Sequence, residues 1–237
     1  LKREASYALA LGAPAVAASI YDELAVRQPE KKALWLDQAA KWFMAGSEPG
    51  RAAEVYKLLL DDEKDPQKRL DLIYQTVLAL RGANQDDAAA IFLSEHMDAL
   101  SGHDSELLDE GFHAALGSNR YDLAEQFVAL WREQEPNDKR AIKAEFDLHM
   151  ASGNIAAAWP LGQLLVAEDP DNPELLSTMG KLGEWVGQSI GALDYWERLL
   201  ALKEDPQVRE HAWRLAAQLF EFDRAIPLLV ELGDMRE

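Results

Sequence analysis

The side chains with chemistry to offer in this 237-residue sequence are five histidines and 42 acidic residues. There is no Cys, so thiol catalysis, thiolate metal sites and disulfides are excluded. His96, His103 and His113 stand near Asp98, Asp104 and Asp109, the residue types of a metal site. Their spacing crosses a helix end, a loop and a new helix, so the stretch reads as a solvated acidic surface and not as a ligand set. His149 falls on or near the packing face of a helix and reads as structural. Residues 168–174 (EDPDNPE) open like a calcium loop, but two Pro and a missing Gly make them a turn. No G-x-S-x-G, H-E-x-x-H or phosphate-binding Gly loop is present. Carboxylates are so widely spread that no pair stands out as acid and base. The sequence therefore predicts no catalytic residue, no metal and no cofactor.

Charge is the second source of chemistry. With 24 Lys and Arg against 42 Asp and Glu, the net charge is −18, which opposes binding to a nucleic-acid backbone. Residues 83–126 hold Asp86, Asp87, Glu95, Asp98, Asp104, Glu106, Asp109, Glu110, Asp122 and Glu125 with Arg120 as the one cation, a sum of −9. Such a stretch serves solubility, or it docks or guides a cationic partner through a field that weakens with salt. Its candidate contacts are Asp98, Asp104, Glu106, Asp109 and Glu110. No apolar run reaches the roughly 18 residues of a bilayer span, so no direct membrane insertion by this segment is expected.

The elements that position these residues follow from a repeat. Ala recurs at Ala17, Ala52, Ala88, Ala124, Ala158, Ala192 and Ala225, in steps of 33 to 36. Four residues later stand Tyr21, Tyr56, Phe92, Val128, Gly162, Trp196 and Leu229; three further on stand Leu24, Leu59, Glu95, Trp131, Leu165, Leu199 and Leu232. That spacing lies on one helical face. Gly12, Gly46, Gly82, Gly117, Gly153 and Gly187 precede the Ala and predict the turn between two helices. Pro29, Pro66, Pro136, Pro170 and Pro206 predict the end of the second helix. A helix pair with one apolar face must stack on its neighbours to bury it. Pro160 and Pro227, early in the second helix, and the longer SGHDSE junction after the third unit predict local irregularity only. Lys2, Arg3 and the Ala15-Val16-Ala17 run mimic a signal peptide, but the same residues fall within the first repeat.

This pattern resembles the tetratricopeptide repeat (TPR), whose period is about 34 residues. The copies SNRYDLAEQFVALWREQEPND (118–138) and ASGNIAAAWPLGQLLVAEDPDN (151–172) carry the likeness, with Trp35, Ala39 and Trp42 on a first helix. The resemblance implies an all-α TPR solenoid, a right-handed superhelix of antiparallel helix pairs. One array of about seven units is expected, near 1–31, 32–66, 67–102, 103–138, 139–172, 173–205 and 206–237. The TPR register places His113, Arg140, Lys143, Asp147, Lys181, Glu184, Trp185 and Arg214 on the face built from first helices. That mixture suits a peptide or sugar groove with one aromatic platform. Lys143 fits a position of the carboxylate clamp of TPR co-chaperones, but Asp147 and Thr178 stand where Asn is needed, so no clamp is expected.

The divergent acidic repeats, in 34–69 (LWLDQAAKWFMAGSEPGRAAEVYKLLLDDEKDPQKR) and 195–225 (YWERLLALKEDPQVREHAWRLAAQLFEFDRA), also resemble the periplasmic repeat region of bacterial exopolysaccharide export porins, those of Pel export above all. This implies a non-catalytic scaffold for protein–protein interaction that recruits a PelA-like deacetylase/hydrolase. The scaffold would be periplasmic and part of an outer-membrane-anchored protein. The alternatives are direct guidance of a cationic polysaccharide along the acidic surface, or a generic TPR adaptor attached to a catalytic domain outside this segment; the alternative location is the cytoplasm. The chain starts at Leu1 and reads as an excised piece of a longer protein. Its last unit holds Phe220, Phe222, Leu228, Leu229 and Leu232, which predict an apolar patch there.

Overall fold

The computed structural model describes residues 1–100, 102 and 104–234. Fourteen α-helices, and no strand, are found among the described residues. They divide into two compact units, 1–136 and 137–237. The first holds four hairpins: α1 (Lys2–Ala10) with α2 (Pro14–Arg27), α3 (Lys32–Ala45) with α4 (Pro49–Asp62), α5 (Pro66–Gly82) with α6 (Asp86–Ser94), and α7 (Ser105–Gly117) with α8 (Tyr121–Gln134). The second holds three: α9 (Lys139–Ala151) with α10 (Ile155–Glu168), α11 (Pro173–Trp185) with α12 (Ser189–Leu202), and α13 (Pro206–Gln218) with α14 (Phe222–Asp234). Within each unit every helix packs on its neighbours in the chain. Short 3-10 turns cover Pro29–Lys31 and Met97–Ala99.

The small Ala at the fourth position of each second helix explains the close approach. Ala17, Ala52, Ala124, Ala158 and Ala192 are fully buried, and Ala225 nearly so. The third hairpin corrects the sequence register. Its fully buried fourth residue is Ala89, while Ala88 is only half-buried. The position four residues on is then Leu93, fully buried, in place of Phe92, and the next is His96 in place of Glu95. The spacing slips by one because three Ala stand in a row at 88–90.

The turn chemistry is also corrected. The residue five before the buried Ala has a left-handed backbone in all seven hairpins: Gly12, Ser47, Asn84, Asn119, Gly153, Gly187 and Phe220, with φ between 57° and 77°. Gly46, Gly82 and Gly117 stand just before that position. A Cβ on Gly46 would lie 2.8 Å from the Ala15 backbone nitrogen, one on Gly82 3.4 Å from Pro49, and one on Gly117 3.3 Å from Asp86. Gly46 lets the end of α3 approach the start of α2, while a Cβ at Gly82 or Gly117 would meet an ordinary or only slightly tight contact. Two of the expected terminators likewise start helices. Pro66 and Pro206 are the first residues of α5 and α13, where no N–H is required, behind the capping carboxylates of Asp65 and Asp205. Pro160 and Pro227 stand inside α10 and α14 without ending them.

Gly162, which stands where most units have a bulky residue, is filled from across the hairpin boundary. Met179 of α11 lies where its side chain would be, with a Cβ only 2.2 Å from the sulfur. At the last hairpin, Leu228 and Leu232 are buried, contrary to the expected patch. Phe220, Phe222, Ile226, Leu229 and Val230 are exposed.

Candidate functional site

In the second unit, one face of α11 carries Ser177, Lys181 and Trp185 at four-residue spacing, hence in line. Facing them on α13 are Gln207, Val208 and His211, and Trp196 of α12 closes the floor. Together with Glu184 these side chains line a groove of about 430 Å³. A second depression of about 380 Å³ shares Ser177 and Val208 and runs on past Pro173, Glu174, Leu199, Lys203 and Asp205. From residue 173 to 185 the helix rises roughly 18 Å.

The floor is built by small residues. Gly180 brings α12 so close that a Cβ there would lie 2.5 Å from the Trp196 ring, and a Cβ on Gly183 would lie 2.9 Å from the Ala192 Cβ. Trp196 therefore sits deep, and its indole N–H donates to Glu184 Oε1 at 2.9 Å. The same oxygen lies 2.8 Å from His211 Nε2, whose ring meets Trp196 edge-on at 5.3 Å. Two neighbours thus hold the Glu184 carboxylate. Trp185 is left 62% exposed and offers a free aromatic face.

The structure brings together three of the sequence candidates, Lys181, Glu184 and Trp185. The rest of the α9–α13 candidates are engaged locally. Arg140 pairs with Asp138 at 3.4 Å, Lys143 with Asp147 at 2.5 Å, and Arg214 with Glu210 at 2.5 Å. Arg214 does not line the groove. Sequence reasoning missed Ser177, Trp196, Gln207, Val208, His211 and Lys203. The Gln207–His211 spacing of four, which sets both on one face of α13, was the signal available.

The acidic stretch of the first unit is less bare than its sum. Arg81, just outside the counted window, pairs with Glu110 and lies 3.5 Å from Asp86. Arg120 pairs with Asp87 at 3.0 Å and Asp122 at 3.2 Å, and its hydrogen bond holds the Asp122 carboxyl below the ordinary range. His113 lies 3.8 Å from Asp109. Asp104 is the N-cap residue of α7, and Asp98 lies in a 3-10 turn. Glu95, Asp98, Glu106 and Glu125 remain exposed without a cationic partner among the described residues. Near this patch the Tyr74 hydroxyl is raised above its usual pKa, first by burial and then by Glu106 and Glu110. Among the described residues no three potential metal ligands come together. His96 instead bonds the Phe92 carbonyl at 2.7 Å, and His103 lies outside the described residues. No described helix is long and apolar enough to cross a membrane.

Comparison with solved structures gives the fold its name. YrrB, described as a TPR protein with an unusual peptide-binding site, matches with a TM-score of 0.59 at 15% identity over 83% of this chain and 99% of its own. A tetratricopeptide repeat protein from Parabacteroides merdae matches with a TM-score of 0.53 at 15% identity, over 98% of this chain and 91% of its own. MamA from Desulfovibrio magneticus matches with 0.53 at 14%, over 73% and 96%. No protein-family profile and no curated protein sequence matches the chain. At such identities the likeness is one of fold, and that fold is the tetratricopeptide repeat.

Proposed function

We propose that this chain, with its tetratricopeptide-repeat fold, is a non-catalytic scaffold that binds partner proteins. The observation that carries the reading is the lined groove of the second unit, where an exposed Trp185 and Lys181 flank a fixed Glu184. Stacked hairpins expose such side chains on a rigid frame at little cost in ordering. YrrB, of like fold, has a peptide-binding site, which supports a peptide or protein as the ligand class.

The finer reading is a scaffold in Pel-type exopolysaccharide export, akin to PelB. It would work in the periplasm as part of an outer-membrane-anchored protein and recruit a PelA-like deacetylase/hydrolase. Its support is the likeness of 34–69 and 195–225 and the net charge of −18, which suits an export system for a cationic amino-sugar polymer. A specific observation favours direct contact with that polymer as a second reading. Glu95, Asp98, Glu106 and Glu125 are each exposed and have no cationic partner among the described residues.

The test is binding of a purified PelA-like deacetylase, and separately of a partly deacetylated amino-sugar polymer, across a salt series. The variant reverses Glu95, Asp98, Glu106 and Glu125 to Lys. The comparison reverses Glu30, Glu54, Asp61 and Asp71, four exposed acids elsewhere in the same unit. Each exposed pair contributes at most about 1 kcal/mol, so the four must act together. The acidic surface reading expects slower association and a flatter salt dependence for the first variant only. Equal binding by both variants would leave the patch as a solubility feature. Failure of both ligands to bind at all removes the export reading.

A further inference from the structure

The groove of the second unit carries an inference that does not rest on the acidic surface or on export. In the described part of this unit almost every cation is already engaged. Lys139, Arg140, Lys143, Arg209, Arg214 and Arg224 each pair with a carboxylate, and Arg198 donates to the Pro170 carbonyl at 2.7 Å. Lys181 and Lys203 alone have no hydrogen-bond or ion-pair partner among the described residues, and both line this groove. Three carboxylates line the groove and the depression that continues it, and two of them are engaged by other groups. Glu184 is held by Trp196 and His211, and Asp205 accepts from the Gln207 and Val208 backbone N–H groups at the start of α13. Glu174 has no side-chain partner among the described residues, and the ammonium groups of Lys181, in the groove, and Lys203, in the adjoining depression, are open.

The geometry points to a specific ligand class: an acidic peptide segment of a partner protein with an aromatic residue in it. Side-chain carboxylates would meet Lys181 and Lys203, and the aromatic ring would lie against Trp185 and Val208. Lys181 and Trp185 are four residues apart on α11, about 6 Å along its axis. A carboxylate and a ring one helical turn apart in the ligand match that step. An exposed indole gains from a ring stacked on it, and an unpaired ammonium gains from a carboxylate without first breaking a pair. The ligand charge is opposite to that expected at the acidic surface of the first unit, so the two sites take different partners.

The test uses the whole chain and three synthetic 12-residue peptides with both ends blocked, so that charge resides only in side chains. One carries two Glu and a Phe four residues from the first Glu. The second has Ser for Phe, and the third has Lys for both Glu. Calorimetry and Trp fluorescence report binding, and circular dichroism reports folding of each variant. The Glu/Phe peptide should bind at least tenfold tighter than either control. Lys181→Glu with Lys203→Glu should invert the preference, binding the Lys peptide tighter than the Glu peptide. Trp185→Ala should bring the Phe and Ser peptides to within about twofold of each other. Equal binding of the three peptides, no binding of any, or unchanged preference in the Lys181→Glu/Lys203→Glu variant would overturn the assignment. So would an amino-sugar oligomer that displaces the Glu/Phe peptide and loses its own binding in Trp185→Ala. A partner still captured by the chain after both Lys reversals would sink this site while leaving the scaffold reading intact.

Discussion

Gly180→Ala is the sharpest test of how the groove is built. The Ala Cβ would lie 2.5, 2.7 and 2.8 Å from three atoms of the Trp196 ring. Ordinary carbon contacts are about 3.5–4.0 Å, so the ring or α12 must retreat by roughly 1 Å. The ring is 4% exposed and has little room to move. Overpacking of this kind costs about 1–3 kcal/mol. Ala in a helix interior returns about 1 kcal/mol in propensity. A shifted ring also weakens the Trp196–Glu184 hydrogen bond, about 1.5–3 kcal/mol for a charged acceptor and toward the low end here because Glu184 is partly exposed. The net expectation is a loss of about 1–3 kcal/mol.

Urea unfolding followed by near-ultraviolet circular dichroism, which reports the Trp environment, measures that loss. The matched control is Gly50→Ala in α4. Its nearest neighbour would be 3.8 Å away, an ordinary contact, and its φ is not left-handed. The same substitution there should stabilise by up to about 1 kcal/mol. Opposite signs at the two glycines support the close approach. If Gly180→Ala is as stable as the parent, with an unchanged near-ultraviolet spectrum, the argument that Gly180 sets the depth of Trp196 is wrong.

Other expectations follow from the same geometry. Phe220 holds a left-handed φ of 61° on a bulky, exposed side chain, a conformation that costs about 1–2 kcal/mol without Gly; Phe220→Gly should raise the thermal midpoint, and Gly187→Ala should lower it. Ala89→Leu should overpack the third hairpin by about 1–3 kcal/mol, as should Ala158→Leu in the fifth, while Ala88→Leu should change stability much less, all read by chemical denaturation; equal effects at 88 and 89 would undo the register correction. Asp122 has its pKa lowered in the fold by Arg120, so its stabilising contribution is present above the ordinary Asp value of 3.8 and disappears as pH falls below it; Asp122→Asn should remove that part of the acid limb, and an NMR titration of the carboxyl should show the depressed midpoint.

The hairpin architecture was legible because it rests on a physical necessity that the sequence repeats. A second helix can approach its partner closely only where the side chain is small, so the Ala survives in every unit while its neighbours vary. What was illegible was the register wherever several residues satisfy the same need. At 88–90 three consecutive Ala are equally small, and only packing selects Ala89. The turn was misread for a related reason. Gly answers two demands, a left-handed φ and a close approach. In the second, third and fourth hairpins Ser47, Asn84 and Asn119 take the turn in place of the nearby Gly, and in the second Gly46 takes the close contact. Asn tolerates the left-handed region better than most residues, which makes Asn84 and Asn119 the signal that was available. Nothing comparable marks Phe220.

The site was legible only as side-chain types, because partner chemistry depends on which charges remain after local pairing. By summation the second unit is acidic, and it would be assigned a cationic ligand. Pairing reverses that reading at one place. Glu184 is held by Trp196 and His211 and Asp205 by the backbone at the start of α13, and Lys181 and Lys203 have no partner among the described residues. In the first unit the same accounting works the other way. Arg81 and Arg120 pair with Glu110, Asp87 and Asp122, and Glu95, Asp98, Glu106 and Glu125 stay exposed without a cationic partner among the described residues. A field from net charge acts over about a Debye length and sets how fast partners arrive. Contacts at a few ångströms decide which partner stays. An acidic chain therefore repels an acidic peptide at a distance and still holds it in the groove, so moderate salt should first speed its association before weakening the bound state. A basic ligand at the first unit's surface should lose association rate from the lowest salt upward.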